Sequence, residues 1–443
     1  MSSHNNTNKN PYIPRTRIAV MSRPILDFLA IESAGGFILL FCTVIALVLA
    51  NSPFAESFDH FWHTNIAFTI GENTLSHSLA HWINDGLMAI FFFVVGLEIK
   101  RELVSGELKD PKAAALPAIA ALGGMIAPAI IYTLALGDNP GKSGWGIPMA
   151  TDIAFVVGFL SLLGNRVPHG LKIFLLSLAI IDDLGAVLVI AIFYSSDLSF
   201  SALMLGALGL MTILFLNKIG VRRILVYVLV GFLVWLAFLF SGVHSTIAGV
   251  ILGLLTPSNA WIGDQSLKEV ISNTFDRLKA KFSREEFNSS INEMIFVSRE
   301  AISPLDRLVH DLHPWVAFFI MPLFALANAG VTIEMSAISS TLSHAVTYGL
   351  LFGKPIGIVL FSWLAIKIFK AKLPTGVNWP TMIGAGCLGG IGFTMSIFIA
   401  NLALDSNLLD DGKVGTLIGS SLSAIIGLAI LYFALPKANA QKS

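Results

Sequence analysis

Hydrophobic residues in this chain come in long unbroken runs rather than at alternating or single-face helical spacing. Twelve such runs occupy about residues 33–50, 83–99, 113–136, 144–163, 171–195, 200–217, 223–240, 242–256, 314–333, 344–366, 380–403 and 414–435. Most approach or exceed the ~20 apolar residues that cross a bilayer as a helix. Lipid demands that each segment satisfy its own backbone hydrogen bonds, and a helix does so. The pattern predicts an all-α polytopic membrane protein with twelve transmembrane helices, forming one transmembrane domain over 31–436. Residues 1–30 and 437–443 read as cytoplasmic tails, the first twelve residues polar. The first run lacks the small-residue site of a cleaved signal and is expected to be retained.

Two intervals between runs are long. Within 52–81, Ile66, Phe68 and Ile70 alternate with shorter or polar residues before Gly71-Glu72-Asn73. That pattern predicts a small β-hairpin whose edge is free to pair with a second copy of the chain. Within 257–312, Leu267, Val270, Ile271, Phe275, Leu278 and Phe282 recur at helical spacing among charged residues. This predicts an amphipathic helix on the bundle or membrane surface.

Two runs carry helix-breaking residues. The fourth has Gly146 and Pro148 ahead of Thr151-Asp152; the eleventh has Gly384, Gly386, Gly389, Gly390 and Gly392 ahead of Thr394. Glycines in membrane helices also serve close packing. Each run, however, is the second of a triplet, 3–5 and 10–12, and triplets seven spans apart have opposite orientation. Inverted repeats with two discontinuous helices, spans 4 and 11, point to a transporter site near the midplane.

Composition agrees with a membrane location: 55% of residues are hydrophobic and 13% charged, with a mean hydropathy of +0.77. A soluble domain is nearer 25% charged. Cys42 and Cys387 both lie in apolar runs, which argues against a disulfide framework and for packing. Net charge is zero but unevenly distributed. With the N-terminus inside, 25 of the 28 Lys and Arg fall on the cytoplasmic side. Lys142 and Lys413 fall outside, and Lys354 within a span. That bias places both termini in the cytoplasm.

Against this apolar background, Asp152, Asp182, Asp183 and Lys354 stand deep inside runs. Each costs roughly 2.5–3.5 kcal/mol at mid-bilayer if unpaired, so they must face one another or water. Neighbours on a helix point about 100° apart. One of Asp182 and Asp183 is therefore expected to face Lys354, whose helix is kinked by Pro355, and the other a cavity. Asp152 is placed to offset the positive ends of half-helices, and Lys354 the facing carbonyl ends. Plain charge balance is the simpler role for those two.

Buried, mutually repelling carboxylates exchange protons near neutrality. Deprotonated, they are hard oxygen ligands for a small cation, with Thr151 and freed carbonyls as supporting ligands. Protons and cation then compete for one site, and alternate opening converts competition into exchange. Two protons replaced by one monovalent cation would make that exchange electrogenic.

The segments "VGLEIKREL" (95–103), "ATDIAF" (150–155), "AIIDDLGA" (179–186), "SGVHSTIAG" (241–249), "HPWVAF" (313–318), "GKPIG" (353–357) and "GGIGFTMSIFIA" (389–400) resemble the bacterial NhaA-type Na⁺/H⁺ antiporters. The resemblance covers nearly all spans, in order. It implies exchange of Na⁺ or Li⁺ for H⁺ across the bacterial inner membrane, by a homodimer joined partly through the outside hairpin. No cofactor, enzymatic activity or nucleic-acid partner is implied. By motif, Asp182 and Asp183 would hold cation or protons, while Asp152 and Lys354 would compensate charge at the broken helices. Glu98, Arg101, Glu102 and His244 match positions tied to pH response. Taken alone, the first three are an interfacial ion-pair set and His244 a packed histidine. Two departures bear on the pH setting: Val309 stands where an acid is expected four residues before His313, and the 257–312 loop is long.

Rival classes fit less well. An intramembrane aspartyl protease resembles a Gly-x-Gly-Asp pattern, but Met-Ala-Thr precedes Asp152 and Ala-Ile-Ile precedes Asp182. A Na⁺-coupled symporter of an organic solute needs a polar or aromatic substrate pocket that the runs do not supply. A channel needs a filter loop or rings of subunits.

Overall fold

A computed structural model describes residues 34–70, 73–195, 198–221, 223–278 and 284–436. The expected tails 1–30 and 437–443 lie outside them. Helices α1 (Ala34–Ala50) and α2 (Ala55–His63) are bent by 115° at their junction. Strands β1 (Asn65–Ile70) and β2 (Asn73–Ser78) form an antiparallel pair with Ile66 opposite His77 and Asn65 opposite Ser78. Helices α3 (Leu79–Val104) and α4 (Pro111–Leu136) follow. A 3₁₀ segment, Lys142–Met149, leads into α5 (Ile153–Leu162). Then come α6 (His169–Phe193), α7 (Phe200–Lys218), α8 (Ile224–Leu239) and α9 (Ser245–Leu255). The polar helices α10 (Asp264–Leu278) and α11 (Arg284–Glu300) precede α12 (Pro304–Asn328) and α13 (Thr341–Phe369). The chain closes with α14 (Trp379–Gly389), α15 (Phe393–Ala403) and α16 (Ser406–Ala434).

Among the described residues eight helices are long and apolar enough to cross a membrane, or ten if each of two bent pairs, α1–α2 and α14–α15, is one span. Helices α8 and α9 are apolar but shorter. This is a polytopic all-helical membrane protein. Its exposed surface carries large apolar side chains, such as Leu134, Phe200, Met204 and Phe433, as a lipid-facing surface requires.

The 257–312 interval differs from the single amphipathic helix expected there. Helix α10 ends at Leu278, α11 starts at Arg284, and the two pack against each other. Phe282 lies outside the described residues. Helix α12 also starts earlier than its apolar run, because Ser303 accepts from Asp306 N–H and Pro304 occupies the first turn. A side-chain cap and a proline with no N–H to satisfy start a helix whatever the hydropathy.

The central packing brings α4 against α13. A Cβ at Gly123 would run into Gly357 O, and one at Gly353 into Pro128. The two backbones therefore touch, which sets the depth at which Lys354 enters the interior. The turn Gly349–Gly353, just before Lys354, is a π-helical widening of α13, a distortion frequent at functional sites. We expect Gly357→Leu to destabilise the protein by about 1–3 kcal/mol through overpacking. Gly86→Ala, with no heavy atom within 4 Å of the new Cβ, should change little. Thermal unfolding of the two variants in detergent checks the contrast.

Candidate functional site

The charged residues of the apolar runs converge. Lys354 Nζ donates to Asp182 Oδ2 at 2.5 Å and to Thr151 Oγ1 at 2.9 Å. Both ends of this ion pair are completely buried. The Thr151 hydroxyl lies 2.8 Å from Asp182 Oδ2 and 2.9 Å from Gly389 O, so its single proton serves one of the two. Of the adjacent acids, it is Asp182 that takes Lys354. Asp183 is 2% exposed, and its Oδ1 has no hydrogen-bond partner among the described residues; nor has Asp182 Oδ1.

Two chain breaks face each other beside this pair. Residues 150–152 are non-helical between the 3₁₀ segment and α5, and residues 390–392 separate α14 from α15 with a 44° bend. Asp152 joins them. Its N–H donates to Ile391 O at 2.7 Å, and its Oδ1 caps α5 by accepting from Phe155 N–H at 3.2 Å. Its Oδ2 accepts from Thr394 N–H at 3.1 Å and from the Thr394 hydroxyl. One carboxylate thus sits at the N-termini of α5 and α15, where unpaired N–H groups and the helix dipoles favour negative charge. Ser396 Oγ donates to Ile147 O at 2.7 Å, and Ser420 Oγ accepts from Gly392 N–H at 3.2 Å and Phe393 N–H at 3.1 Å.

The electrostatics follow. Lys354 balances Asp182, and the two helix N-termini balance Asp152. Asp183 is left with no matched positive group, in a place where an unpaired charge is costly.

The other sequence candidates lie elsewhere. Glu98 Oε1 is 3.9 Å from His313 Nε2, and Glu102 Oε2 accepts from Glu107 N–H at 3.0 Å. With Arg101 they stand near the C-terminal end of α3. Val309 is buried there with Leu97 and Leu305, so the position where an acid was expected is filled by apolar packing. His244 immediately precedes α9, near the opposite end of α3. Its neighbour Ser245 donates to Asp85 Oδ1 at 3.2 Å.

Several polar contacts were not anticipated. Asp85 pairs with His81 at 2.9 Å, and the His81 ring stacks on His77 with centroids 4.1 Å apart. An acid at the start of an apolar run, four residues after His81, is a legible signal for Asp85; nothing in the sequence stacks His81 on His77 of β2. Asn84, Asn328 and Asn401 form a hydrogen-bonded cluster linking α3, α12 and α15. Ser420 carried no signal, since any serine on α16 could face lipid.

Fold and site together define a helical membrane protein in which charged side chains are paired where two chain breaks cross. Comparison with known proteins narrows this further. Residues 26–431 match the family model "Na+/H+ antiporter 1", and the chain belongs to that family. It is 50% identical over 421 residues to "Na(+)/H(+) antiporter NhaA" of Rhodopirellula baltica, covering 95% of this chain and 96% of the relative. It is 48% identical over 419 residues to the protein of that name from Oleidesulfovibrio alaskensis, covering 92% and 93%. To the Rhizobium meliloti protein of that name it is 46% identical over 421 residues, covering 95% and 96%. Membership supports exchange of Na⁺ and H⁺ across a membrane.

Two outcomes test the site's electrostatics. Lys354→Ala leaves Asp182 buried without its partner and should cost about 3–5 kcal/mol, whereas Lys354→Met with Asp182→Asn should recover most of that. Equal melting of the single and double variants would remove the pairing. At the hairpin, burial, and then the neighbouring His81, hold His77 below the usual histidine range, opposed by Asp85. The folded form thus binds fewer protons here than the unfolded form. The contribution of His77 to stability is present above about pH 6.5 and is lost as pH falls through its lower folded value. Amide protection factors over residues 64–82, with the intrinsic slowing of exchange in acid divided out, should fall below about pH 6.5, and His77→Gln should suppress that fall.

Proposed function

We propose that the protein exchanges cytoplasmic Na⁺ or Li⁺ for external H⁺, with Asp182 and Asp183 as the shared site. The observation that carries this reading is Asp183: a buried carboxylate with an unpartnered oxygen, beside an acid already held by Lys354. When deprotonated, the two acids offer hard oxygen ligands to a small cation. When Asp183 is protonated, the buried charges balance without one. Thr151 serves the Lys354–Asp182 pair in the proton-loaded form and becomes a supporting ligand when the cation draws Asp182 away. One proton for one Na⁺ would be electroneutral. The second proton leaves from the Lys354–Asp182 pair when that pair is broken, which makes the exchange electrogenic.

Asp152 and Lys354 compensate charge at the crossed breaks, so that segments on either side can shift without exposing a helix terminus to lipid. In this reading spans 3–5 and 10–12 are inverted repeats, spans 4 and 11 are the discontinuous helices, and α8 and α9 complete twelve crossings within one domain over 31–436. Both termini lie on the cytoplasmic side of a bacterial inner membrane, as the Lys and Arg bias indicates. The β-hairpin lies outside and contributes to a homodimer. The 257–312 segment lies in the cytoplasm.

The pH response is divided between two ends of α3. Glu98, Arg101 and Glu102, with His313, stand at the cytoplasmic mouth; His244, with Asp85, His81 and His77, stands outside. Histidine titrates in the range both faces meet.

Asp183→Asn keeps the fold neutral at this position and should abolish exchange. Na⁺-dependent collapse of a pH gradient in proteoliposomes that stays near wild type would reject the assignment. In the same vesicles a K⁺ diffusion potential of assisting sign should speed exchange by wild-type protein, and indifference to voltage would mean equal charge moved in each direction.

A further inference from the structure

The outer surface of α13 carries a groove of about 470 Å³ lined by Ile356, Val359, Leu360, Trp363 and Trp379. From these residues and the lysines below them, we infer a seat for an anionic glycerophospholipid, with an acyl chain in the groove and its phosphate among Lys367, Lys370 and Lys372.

The depth is right for such a ligand. Trp363 lies nine residues beyond Lys354, about 14 Å along the helix, and half the hydrocarbon thickness is ~15 Å. With Lys354 at mid-bilayer, Trp363 meets the level where hydrocarbon gives way to headgroups, the preferred depth of indoles. Lys367 is one turn further. Its Nζ lies 4.6 Å from the Trp363 ring centroid, so the ammonium is held at the groove's lower end. Trp379 is fixed opposite by the Asn378–Thr381 capping box that starts α14.

Charge complementarity selects the headgroup. No Asp or Glu occurs between residues 354 and 404, so Lys367, Lys370 and Lys372, all exposed, have no acid nearby in the chain. The start of α6 adds to this corner: the Gly170 backbone abuts Pro374 and Thr375, and the exposed Lys172 follows two residues later. Lys370 caps α13 with φ +54 and is the one non-glycine residue with positive φ among the described residues. Glycine is the unstrained choice at that position. A lysine there keeps a cation beside the headgroup level at some cost in backbone strain. Basic clusters at the cytoplasmic end of a span are suited to anionic lipid. Because the groove lies on the helix that carries Lys354, and Gly386 of α14 packs on Pro355 and Val359 behind it, an occupied seat braces α13 against α14.

The test uses purified full-length protein in detergent, titrated with dioleoylphosphatidylglycerol or dioleoylphosphatidylcholine, with bound lipid measured by native mass spectrometry and stability by melting. Wild type should bind and be stabilised by the anionic lipid in preference to the zwitterionic one. Lys367→Gln, Lys370→Gln and Lys372→Gln combined should weaken anionic lipid binding on the order of a hundredfold, about fivefold per lysine. Lys109→Gln, Lys112→Gln and Lys218→Gln combined should leave it within a few fold. Trp363→Ala, with all lysines present, should weaken it too. The proposal fails if the first triple variant binds as wild type, if the control triple loses as much, or if Trp363→Ala changes nothing. A first triple variant that alters the oligomer's mass while lipid affinity stands would assign the groove to a second copy of the chain instead.

Discussion

The ion pair between Lys354 and Asp182 is the contact on which the rest of this architecture depends. Both side chains are wholly buried, and removing Lys354 leaves Asp182 without its ion-pair partner. The pair holds α13 to α6 and, through Thr151, to the break before α5. It also determines what its neighbour can do. With Asp182 held by Lys354, Asp183 is the neighbouring buried acid whose Oδ1 has no hydrogen-bond partner among the described residues.

Asp152 handles a different electrostatic problem. Interrupting a helix in a membrane frees backbone groups that lipid cannot satisfy. Here the two interruptions satisfy each other: Asp152 N–H reaches Ile391 O, Thr151 lies against Gly389 O, Thr394 reaches Asp152, and Ser396 reaches Ile147 O. Non-helical backbone is tolerated because it is buried in protein and cross-linked. The result is a compact polar centre inside an apolar bundle, with donors and acceptors supplied by segments almost 240 residues apart in sequence.

Helix α3 spans the distance between the two titratable clusters. His81 and Glu98 are separated by seventeen residues, about 25 Å along a helix. Each cluster is tied to a different neighbour: the hairpin and α9 at one end, α12 at the other. Helices α3 and α9 are packed backbone to backbone at Gly96, Gly249 and Gly253. Val309, packed with Leu97, makes the α12 contact more apolar than the resemblance led us to expect. An acid there would have added to the charge around Glu98; with valine in its place, Glu98 faces His313 across that contact at 3.9 Å.

The apolar runs were legible along the chain because membrane helices are selected segment by segment: each must be hydrophobic and internally hydrogen-bonded whatever its neighbours do. The same reasoning made Asp152, Asp182, Asp183 and Lys354 conspicuous, since a charge in such a run is costly at every stage of insertion. The separate helix α11 and the early start of α12 escaped; the latter rests on the Ser303 cap and Pro304 rather than on hydropathy. By itself, then, the sequence determined that this is a helical membrane protein and which buried charges had to find partners. Only the tertiary structure decided that Lys354 goes to Asp182 and that one carboxylate caps two helices. Only it revealed that Ser245, the neighbour of His244, bonds Asp85, the partner of His81. Those choices turn on distances between segments hundreds of residues apart, and hydropathy along one helix carries no information about which face of another it will meet.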